Sequence, residues 1–231
     1  MSAIFISGGS SGLGLRLAVD CLKANDSVFA TYQSHPAPLL YLQKRYPLLC
    51  PLEMDLSLSV ATTDLPSEIN SAILCAGTIR NQLMLKESSD EFINHLNVNL
   101  SGNMKLCQAL YPQLRASKNP HLVLICSRSA YEGNAGQAAY SASRSGLVGL
   151  AKTLAREWAS AGIKVNIIFP GFMRTRQTLA ISETIQKTYA GTNVLGRINT
   201  LAEISRFIRF LITTQNISGQ IFNLDSRVNT H

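Results

Sequence analysis

Tyr140 and Arg144 are the two residues whose types and spacing suggest chemistry most directly. They lie four residues apart in a segment of helical spacing, so both side chains share one helix face. Ser127 closes the apolar run that precedes this segment. A hydroxyl can hold an oxygen on which negative charge develops, a phenol can protonate that oxygen, and a nearby cation stabilises the phenolate left behind. The three side chains are therefore suited, if they lie together, to acid–base chemistry at an oxygen on which negative charge develops.

A glycine-rich turn at residues 7–14, Ser-Gly-Gly-Ser-Ser-Gly-Leu-Gly, forms a second constellation. It follows a short apolar run and opens a segment of helical spacing. Glycines let the backbone turn tightly and approach a pyrophosphate, while a helix N-terminus offers N–H groups and partial positive charge to the anion. The turn therefore predicts a dinucleotide site. Its contacts are expected from Gly8, Ser10, Ser11, Gly12, Leu13 and Gly14.

The segments that must position these residues alternate between short apolar runs and longer stretches of helical spacing. This alternation predicts a Rossmann-like α/β fold, a doubly wound parallel sheet with helices on both faces, in a single domain of residues 1–231. The predicted strands are 3–6, 27–32, 48–54, 71–75, 121–126, 164–169 and 219–224. The predicted helices are 12–23, 38–46, 90–114 with an interruption near 101–102, 138–159 and 201–213. Residues 56–70 are expected to form a loop or one helical turn, and 173–198 an irregular segment where substrate loops occur.

Composition excludes several classes of protein. Of the 231 residues, 46% are hydrophobic and 15% charged, which suits a sheet covered by helices. No apolar run approaches the roughly 18 residues that cross a bilayer, so we expect no membrane span. The N-terminus lacks the features of a signal peptide, which favours a cytoplasmic protein. The five cysteines and four histidines show no ligand spacing, so we expect reduced thiols and no metal.

Charge is unevenly distributed along the chain. There are seven basic and nine acidic residues up to Leu114, but fourteen basic and five acidic residues from Arg115 onward. The basic residues are scattered and form no nucleic-acid motif, so we expect no nucleic-acid partner. An anionic small molecule, an acidic partner protein, or a basic surface without a specific partner each explains this excess.

The Gly-x-x-x-Gly-x-Gly spacing of the turn, and the motifs that follow it in order, resemble the short-chain dehydrogenase/reductase family over essentially the whole chain. The thirteen residues from Ser127 to Tyr140 match the spacing of that family's catalytic serine and tyrosine, and Asn99 matches its active-site asparagine. The resemblance implies hydride transfer from a nicotinamide to a carbonyl carbon. Ser127 would hold the carbonyl oxygen, Tyr140 would protonate it, and Asn99 would hold a water and the local helix geometry in a proton relay.

Arg144 departs from the family pattern, which has lysine at this position. An arginine keeps the positive charge and can hydrogen-bond the ribose of the cofactor. A guanidinium passes a proton onward poorly, however, because it holds its own proton very tightly. We therefore expect retained but slower chemistry. The alternative is a non-catalytic NADP(H)-binding subunit.

Further cofactor contacts are implied after three of the strands. These contacts are Asp55 and Leu56 beside the adenine, Cys75, Ala76 and Gly77 in a degenerate Asn-Asn-Ala-Gly motif, and Pro170, Gly171 and Thr175 beside the nicotinamide. The second strand ends in Gln33-Ser34-His35, without the Asp or Glu that would bind a ribose 2′-hydroxyl. Because a carboxylate would repel a 2′-phosphate, its absence favours NADPH over NADH. Gln33 and Ser34, with His35, could donate hydrogen bonds to that phosphate.

Two segments, 76–86 and 156–166, resemble the β-ketoacyl-acyl carrier protein reductases within the family. This implies reduction of a 3-oxoacyl thioester on an acidic acyl carrier protein, with a pterin or another small carbonyl compound as the alternative substrate. Lys118 fits a carrier-docking position, and Lys164 would replace a second one lost at Ala161. The ending Leu224–Arg227, in place of Asp-Gly-Gly, indicates a specialised relative.

Two of the predicted helical segments, 102–116 and 138–159, carry more apolar residues than one face needs. These residues are Leu106, Leu110, Leu114, Leu147, Leu150, Leu154 and Trp158. An isolated helix on a sheet needs a single apolar stripe. The surplus predicts a homodimer or homotetramer that packs through these helices, as is common in the family.

Overall fold

A seven-stranded parallel sheet organises the chain in the computed structural model, which describes residues 1–58, 64–175, 178 and 182–228. The strands are β1 (Ala3–Ser7), β2 (Ser27–Tyr32), β3 (Leu49–Glu53), β4 (Ser71–Leu74), β5 (His121–Ile125), β6 (Lys164–Phe169) and β7 (Ile221–Asn223). Their spatial order is β3-β2-β1-β4-β5-β6-β7, and every neighbouring pair is parallel. The predicted doubly wound α/β fold is confirmed.

Helices cover both faces of this sheet. They are α1 (Gly12–Lys23), α2 (Ala37–Gln43), α3 (Ser89–Leu96), α4 (Gly102–Arg115), α5 (Ser129–Glu132), α6 (Ala138–Glu157), α7 (Glu183–Gly191) and α8 (Leu201–Leu211). Successive strand residues point to opposite faces. Phe5 therefore packs into the core under α4 and α6, while Ile4 and Ile6 pack into the core under α1 and α8. None of the helices within the described residues is long and apolar enough to cross a membrane.

The sheet has its topological switch point beside β1. The chain moves from β1 outward to β2 and β3, and then returns to place β4 on the other side of β1. The connections that leave β1 and β4 diverge, which opens a crevice at the carboxyl ends of these strands. In open α/β sheets, ligands bind in the crevice at such a switch point. The glycine-rich turn leaves β1 at this crevice, and Cys75-Ala76-Gly77 leaves β4.

The long helix predicted for 90–114 consists of three pieces. α3 ends at Leu96, a π-helical turn spans Asn97–Ser101, and α4 begins at Gly102. A Cβ added at Gly102 would lie 2.4 Å from the backbone oxygen of Leu56, so only glycine allows α4 to cross the segment after β3. Because π-helical turns are frequent at functional sites, this interruption indicates that Asn99 lies near a functional site.

The prediction of an irregular segment at 173–198 is wrong in part, because α7 occupies Glu183–Gly191. The side chain of Ser182 accepts a hydrogen bond from the backbone N–H of Ile185 and caps this helix. α7 buries none of its own residues, so it has no apolar stripe that would reveal it in the sequence. Residues 176, 177 and 179–181 of this segment lie outside the described residues, as do 59–63 of the predicted loop at 56–70.

Six of the seven apolar residues assigned above to a second subunit are buried in the chain's own core. Leu106, Leu110 and Leu114 are fully buried, and Leu147, Leu154 and Trp158 are at most 8% exposed. Both helices therefore use wide apolar faces against the sheet and against each other, and these residues do not by themselves indicate an oligomer. A shallow groove of about 550 Å³ remains between α4 and α6, lined in part by Met104, Tyr111 and Leu150.

His121 makes the stability of the fold depend on pH. Its ring is fully buried in β5, where Nε2 lies 3.0 Å from the backbone oxygen of Thr214. Burial, together with the nearby Lys164, lowers the pKa of His121 from 6.5 to about 4. The unfolded chain therefore takes up a proton in a pH range where the folded chain does not, so stability is present above pH 6.5 and is lost as pH falls toward 4.

We expect the free energy of unfolding to fall by about 2 kcal/mol between pH 7 and pH 5 on account of this one group. Urea denaturation at both pH values measures the change. In the variant His121→Gln the side chain at this position does not titrate. The fall in the free energy of unfolding between the two pH values should therefore be smaller in the variant than in the wild type by about that amount. Equal pH dependence in the two proteins would contradict this assignment.

Candidate active site

The glycine-rich turn is held against the ends of β2 and β4. Gly8 has a φ of +67°, and a Cβ there would lie 3.0 Å from the backbone of Ala76. A Cβ at Gly14 would lie only 2.3 Å from the backbone oxygen of Gly8. The backbone N–H of Gly8 donates to Thr31 Oγ1 at 3.0 Å, and that of Gly9 donates to the Thr31 backbone oxygen at 2.8 Å. Thr31, which the sequence motifs do not single out, therefore anchors the turn.

The residues of this turn fit a dinucleotide. α1 begins at Gly12, the side chain of Ser11 makes no capping bond to it, and its first turn carries no acidic residue. A Cβ at Gly12 would lie 3.4 Å from Thr175 Cγ2, so the loop after β6 meets the turn at the start of α1. The backbone N–H groups at the N-terminus of α1 can therefore bind an anion, and Thr175 lies beside these groups.

We expect Gly14→Ala to weaken cofactor binding by at least about tenfold, because the added methyl group displaces the backbone that must cradle the pyrophosphate. Fluorescence titration with the cofactor measures this loss. Gly149→Ala is the matched control, since a Cβ at Gly149 in α6 meets nothing within 4 Å. The control should bind cofactor normally and be more stable by about 0.5–1 kcal/mol. Equal affinity in both variants would contradict the assigned role of the turn.

The tip of β2 contacts a carboxylate from the end of β3. Gln33 Nε2 donates to Asp55 Oδ2 at 2.8 Å. The backbone N–H and hydroxyl of Ser57 donate to Asp55 Oδ1, and these bonds lower the pKa of the Asp55 carboxyl. Ser34 Oγ lies 2.8 Å from His35 Nδ1. An acid is therefore present near the tip, although the second strand itself supplies none.

Two further predicted contacts differ in their surroundings. The Ala76 backbone N–H donates to the side chain of Ser7 at 3.1 Å, which fixes the loop after β4 against the turn after β1. Leu56, by contrast, is 6% exposed and belongs to the core under α4. Its side chain packs in that core, and its contact with the adenine stays a prediction.

Tyr140 and Arg144 lie together on the first turns of α6, as their spacing predicts. The Arg144 guanidinium carbon lies 4.9 Å from the centroid of the Tyr140 ring. Arg144 is 7% exposed, and its Nη1 donates to the backbone oxygen of Ile125 at 3.2 Å. Cys126 Sγ donates in turn to the Arg144 backbone oxygen at 3.3 Å. The end of β5 therefore fixes the cation over the phenol ring.

Ser127 follows directly on this end of β5, and its hydroxyl is oriented by α5. Ser127 Oγ accepts from the Ser129 backbone N–H at 3.2 Å and lies 3.1 Å from Ser129 Oγ. Asn134 Nδ2 donates in turn to Ser129 Oγ at 2.7 Å. Ser127 is only partly buried, so its hydroxyl remains within reach of a ligand in the crevice.

Asn99 lies in the π-helical turn and is fully buried. Its Oδ1 accepts from the Thr78 backbone N–H at 2.8 Å, and its Nδ2 donates to the Thr78 backbone oxygen at 2.9 Å. Its own backbone oxygen accepts from Asn103 Nδ2 at 2.9 Å. The side chain of Asn99 therefore fixes the loop after β4, and the predicted water would have to share the Asn99 backbone oxygen with Asn103.

A network of charges, which sequence motifs missed, joins the C-terminal segment to α5. Arg128 Nε donates to Glu132 Oε1 at 2.9 Å, and Arg227 Nη1 lies 3.8 Å from Glu132 Oε2. Arg227 Nε donates to Asp225 Oδ2 at 2.7 Å. Asp225 in turn packs against Gly171, since a Cβ added at Gly171 would lie 2.6 Å from the Cβ of Asp225. The unusual ending of the chain thus supports both the loop after β6 and the helix after Ser127.

The comparisons with known proteins agree with this geometry. Residues 2–186 match the family described as short chain dehydrogenase. The chain is 31% identical to carbonyl reductase family member 4 of Xenopus laevis over 164 residues, which cover 71% of this chain and 68% of that protein. It is 30% identical to a 3-oxoacyl-[acyl-carrier-protein] reductase of Bos taurus over 158 residues, which cover 68% of this chain and 65% of that protein.

A solved structure extends the likeness to nearly the whole length. The structure of 4-hydroxyisoleucine dehydrogenase complexed with NADH superimposes with a TM-score of 0.90, at 28% identity, and the match covers 98% of each chain. The fold, the ordered motifs and the matched residues agree. The chain belongs to the short-chain dehydrogenase/reductase family, whose members are NAD(P)H-dependent oxidoreductases.

Proposed function

We propose that the protein reduces a 3-oxoacyl thioester to the 3-hydroxyacyl form with a nicotinamide cofactor. The observation that carries this proposal is the placement of the Arg144 guanidinium 4.9 Å from the Tyr140 ring, where Arg144 also bonds the end of β5 that leads to Ser127. The similarity to the bovine 3-oxoacyl-[acyl-carrier-protein] reductase supports the substrate class. Similarity to a carbonyl reductase supports a broader range of carbonyl substrates as the alternative.

The proposed mechanism assigns one task to each side chain. When bound, the nicotinamide cofactor supplies the hydride that reduces the carbonyl carbon. The Ser127 hydroxyl donates a hydrogen bond to the carbonyl oxygen as negative charge grows there, and the Tyr140 phenol gives that oxygen its proton. Arg144 stabilises the phenolate that remains, and Asn99 holds the loop after β4 that borders this site.

NADPH is the cofactor we propose. The tip of β2 offers Gln33, Ser34 and His35 as hydrogen-bond partners for a 2′-phosphate, while the carboxylate that Gln33 contacts, that of Asp55, is also bonded by Ser57. Because that carboxylate bears a charge of the same sign as the phosphate, the preference is expected to be modest. Titration with both cofactors tests it: a lower dissociation constant for NADPH supports the proposal, and a lower one for NADH overturns it.

An acyl carrier protein is the proposed carrier of the thioester. The two lysines considered for docking lie at the amino edge of the sheet, since Lys118 precedes β5 and Lys164 begins β6. Ser127 lies at the opposite, carboxyl edge, so a carrier at these lysines would serve the site of a neighbouring subunit. Lys118 is exposed, whereas Lys164 Nζ already donates to Asn119 Oδ1 at 2.6 Å, which favours Lys118. Activity on carrier-bound substrate that does not change with salt would count against docking.

A homodimer or homotetramer is therefore part of the same proposal, with the groove between α4 and α6 as the contact surface. Its lining combines the partly exposed side chains Met104, Tyr111 and Leu150 with the buried edge of Trp158. Sedimentation analysis of the native chain and of Leu150→Glu tests this contact. A cytoplasmic location completes the proposal, and cell fractionation tests it.

Turnover assays decide between the proposed function and its rivals. NADPH consumption should be fastest with a 3-oxoacyl thioester and slower with a pterin or a simple ketone. The reverse order would favour the carbonyl-reductase alternative. Cofactor binding without turnover at any acyl length would favour a non-catalytic NADP(H)-binding subunit.

A further inference from the structure

His95 is a buried histidine that borders the proposed active site. It lies on α3, one helical turn before Asn99, and is 8% exposed. Its ring centroid lies 6.2 Å from that of Tyr140, with the two rings nearly perpendicular at 76°. The Thr78 backbone, which the side chain of Asn99 bonds, also lies near this imidazole and acts on its pKa. Its Nε2 is buried without a hydrogen-bond partner among the described residues.

The groups around His95 keep its imidazole neutral near pH 7. Burial and the Arg144 cation lower the pKa of His95, and Arg80 adds a smaller effect in the same direction. Glu87 and the Thr78 backbone oppose this shift without reversing it. A neutral imidazole has one nitrogen that donates and one that accepts, so it can take a proton and pass it on.

The proposed reaction needs such a group. Tyr140 gives up one proton in every turnover and must recover it before the next. Arg144, which packs over the phenol, holds its proton too tightly to supply it. Of the two side chains whose contact with the Tyr140 ring is described, those of His95 and Arg144, the imidazole of His95 is the one that can both gain and lose a proton.

We propose that His95 is the relay residue that returns a proton to Tyr140, an inference that rests on the function proposed above. In the first step the Tyr140 O–H bond breaks as the alkoxide of the product gains its proton. In the second, the neutral imidazole of His95 takes one proton from solvent, and an N–H bond of the resulting imidazolium breaks as the Tyr140 O–H bond re-forms. Each turnover thus consumes one solvent proton, and no group of the protein is oxidised or reduced.

The experiment compares the first turnover with later ones in His95→Phe, which retains a ring against Tyr140 but has no nitrogen. With enzyme in excess, stopped-flow NADPH oxidation uses only the proton already on Tyr140, so its rate should stay within about twofold of wild type. Steady-state turnover needs the relay and should fall at least about tenfold. Ile93→Ala, an exposed site on the same helix, is the control and should change neither rate.

Two further variants separate proton relay from packing. Steady-state turnover of His95→Ala should recover when imidazole is added, whereas that of Ile93→Ala should not respond. In the Arg144→Lys background, where a lysine can pass protons, His95→Phe should lose most of its steady-state defect. Wild-type steady-state turnover in His95→Phe, or an equal loss in its first turnover, would overturn the relay. Absence of turnover in the wild-type enzyme itself would instead overturn the proposed function.

Discussion

Replacing Tyr140 with phenylalanine is expected to lower the rate of 3-oxoacyl thioester reduction by about a thousandfold, because positioned acid–base groups contribute about 10² to 10⁴ in rate. The change removes one oxygen and keeps the ring on which the Arg144 guanidinium lies. Packing and cation–π attraction therefore survive, and only the proton donor is lost. Steady-state NADPH consumption measures the loss, and cofactor titration should give an unchanged dissociation constant.

Tyr131→Phe is the matched control for this variant. Tyr131 is 54% exposed and contacts Phe169 edge-on, so its hydroxyl has no part in the proposed chemistry. It should turn over at the wild-type rate. If Tyr140→Phe remained within a factor of ten of wild type, Tyr140 would not be the proton donor, and the catalytic assignment would be wrong.

Replacing Arg144 with methionine is expected to lower turnover by up to about a hundredfold. A positive and a negative charge about 5 Å apart at an effective dielectric constant of about 20 attract by about 3 kcal/mol, which sets this upper limit. The variant removes the charge that stabilises the phenolate and also the bond to the Ile125 backbone oxygen. Steady-state turnover is the measurement, and thermal denaturation shows whether the variant is folded.

Arg144→Lys separates the two effects of the arginine, which are its positive charge and its inability to pass a proton onward. A lysine restores the positive charge and adds the ability to pass a proton, so turnover should equal or exceed that of the native chain. Turnover of Arg144→Met at the native rate would contradict the electrostatic role. An Arg144→Lys variant without any gain, combined with an active Tyr140→Phe, would remove the basis for assigning catalysis to this pair.

The fold could be predicted because its signal is local. Alternating apolar runs and helical spacing report directly which segments are buried strands, and the predicted sheet formed with nearly the predicted bounds. α7 escaped prediction because it buries no residue and leaves no apolar stripe. The apolar residues of α4 and α6 were assigned to a second subunit for a related reason. The sequence pattern shows how many apolar residues a helix carries, but it does not show which surface covers them. Leu106 and Leu147, assigned to a partner, lie in the chain's own core.

The site could be predicted where motifs are contiguous and could not where contacts join distant residues. Tyr140 and Arg144 share a helix turn, so their spacing alone brings them together. The bonds of Asn99 to Thr78, by contrast, span 21 residues. Arg227 meets Glu132 from the far end of the chain. A sequence without this geometry gives no reason to pair such residues, since each is an ordinary polar residue in its own segment.

Transfer of deuterium is the most direct test of the central claim, that this site moves a hydride from a nicotinamide to the carbonyl carbon of a 3-oxoacyl thioester. The enzyme is incubated with NADPH deuterated at C4 on each face in turn, and the product is examined by mass spectrometry. We predict that deuterium from one face appears at C3 of the 3-hydroxyacyl product, and that Tyr140→Phe forms this product about a thousandfold more slowly. Tight cofactor binding with no labelled product from either face would contradict the account.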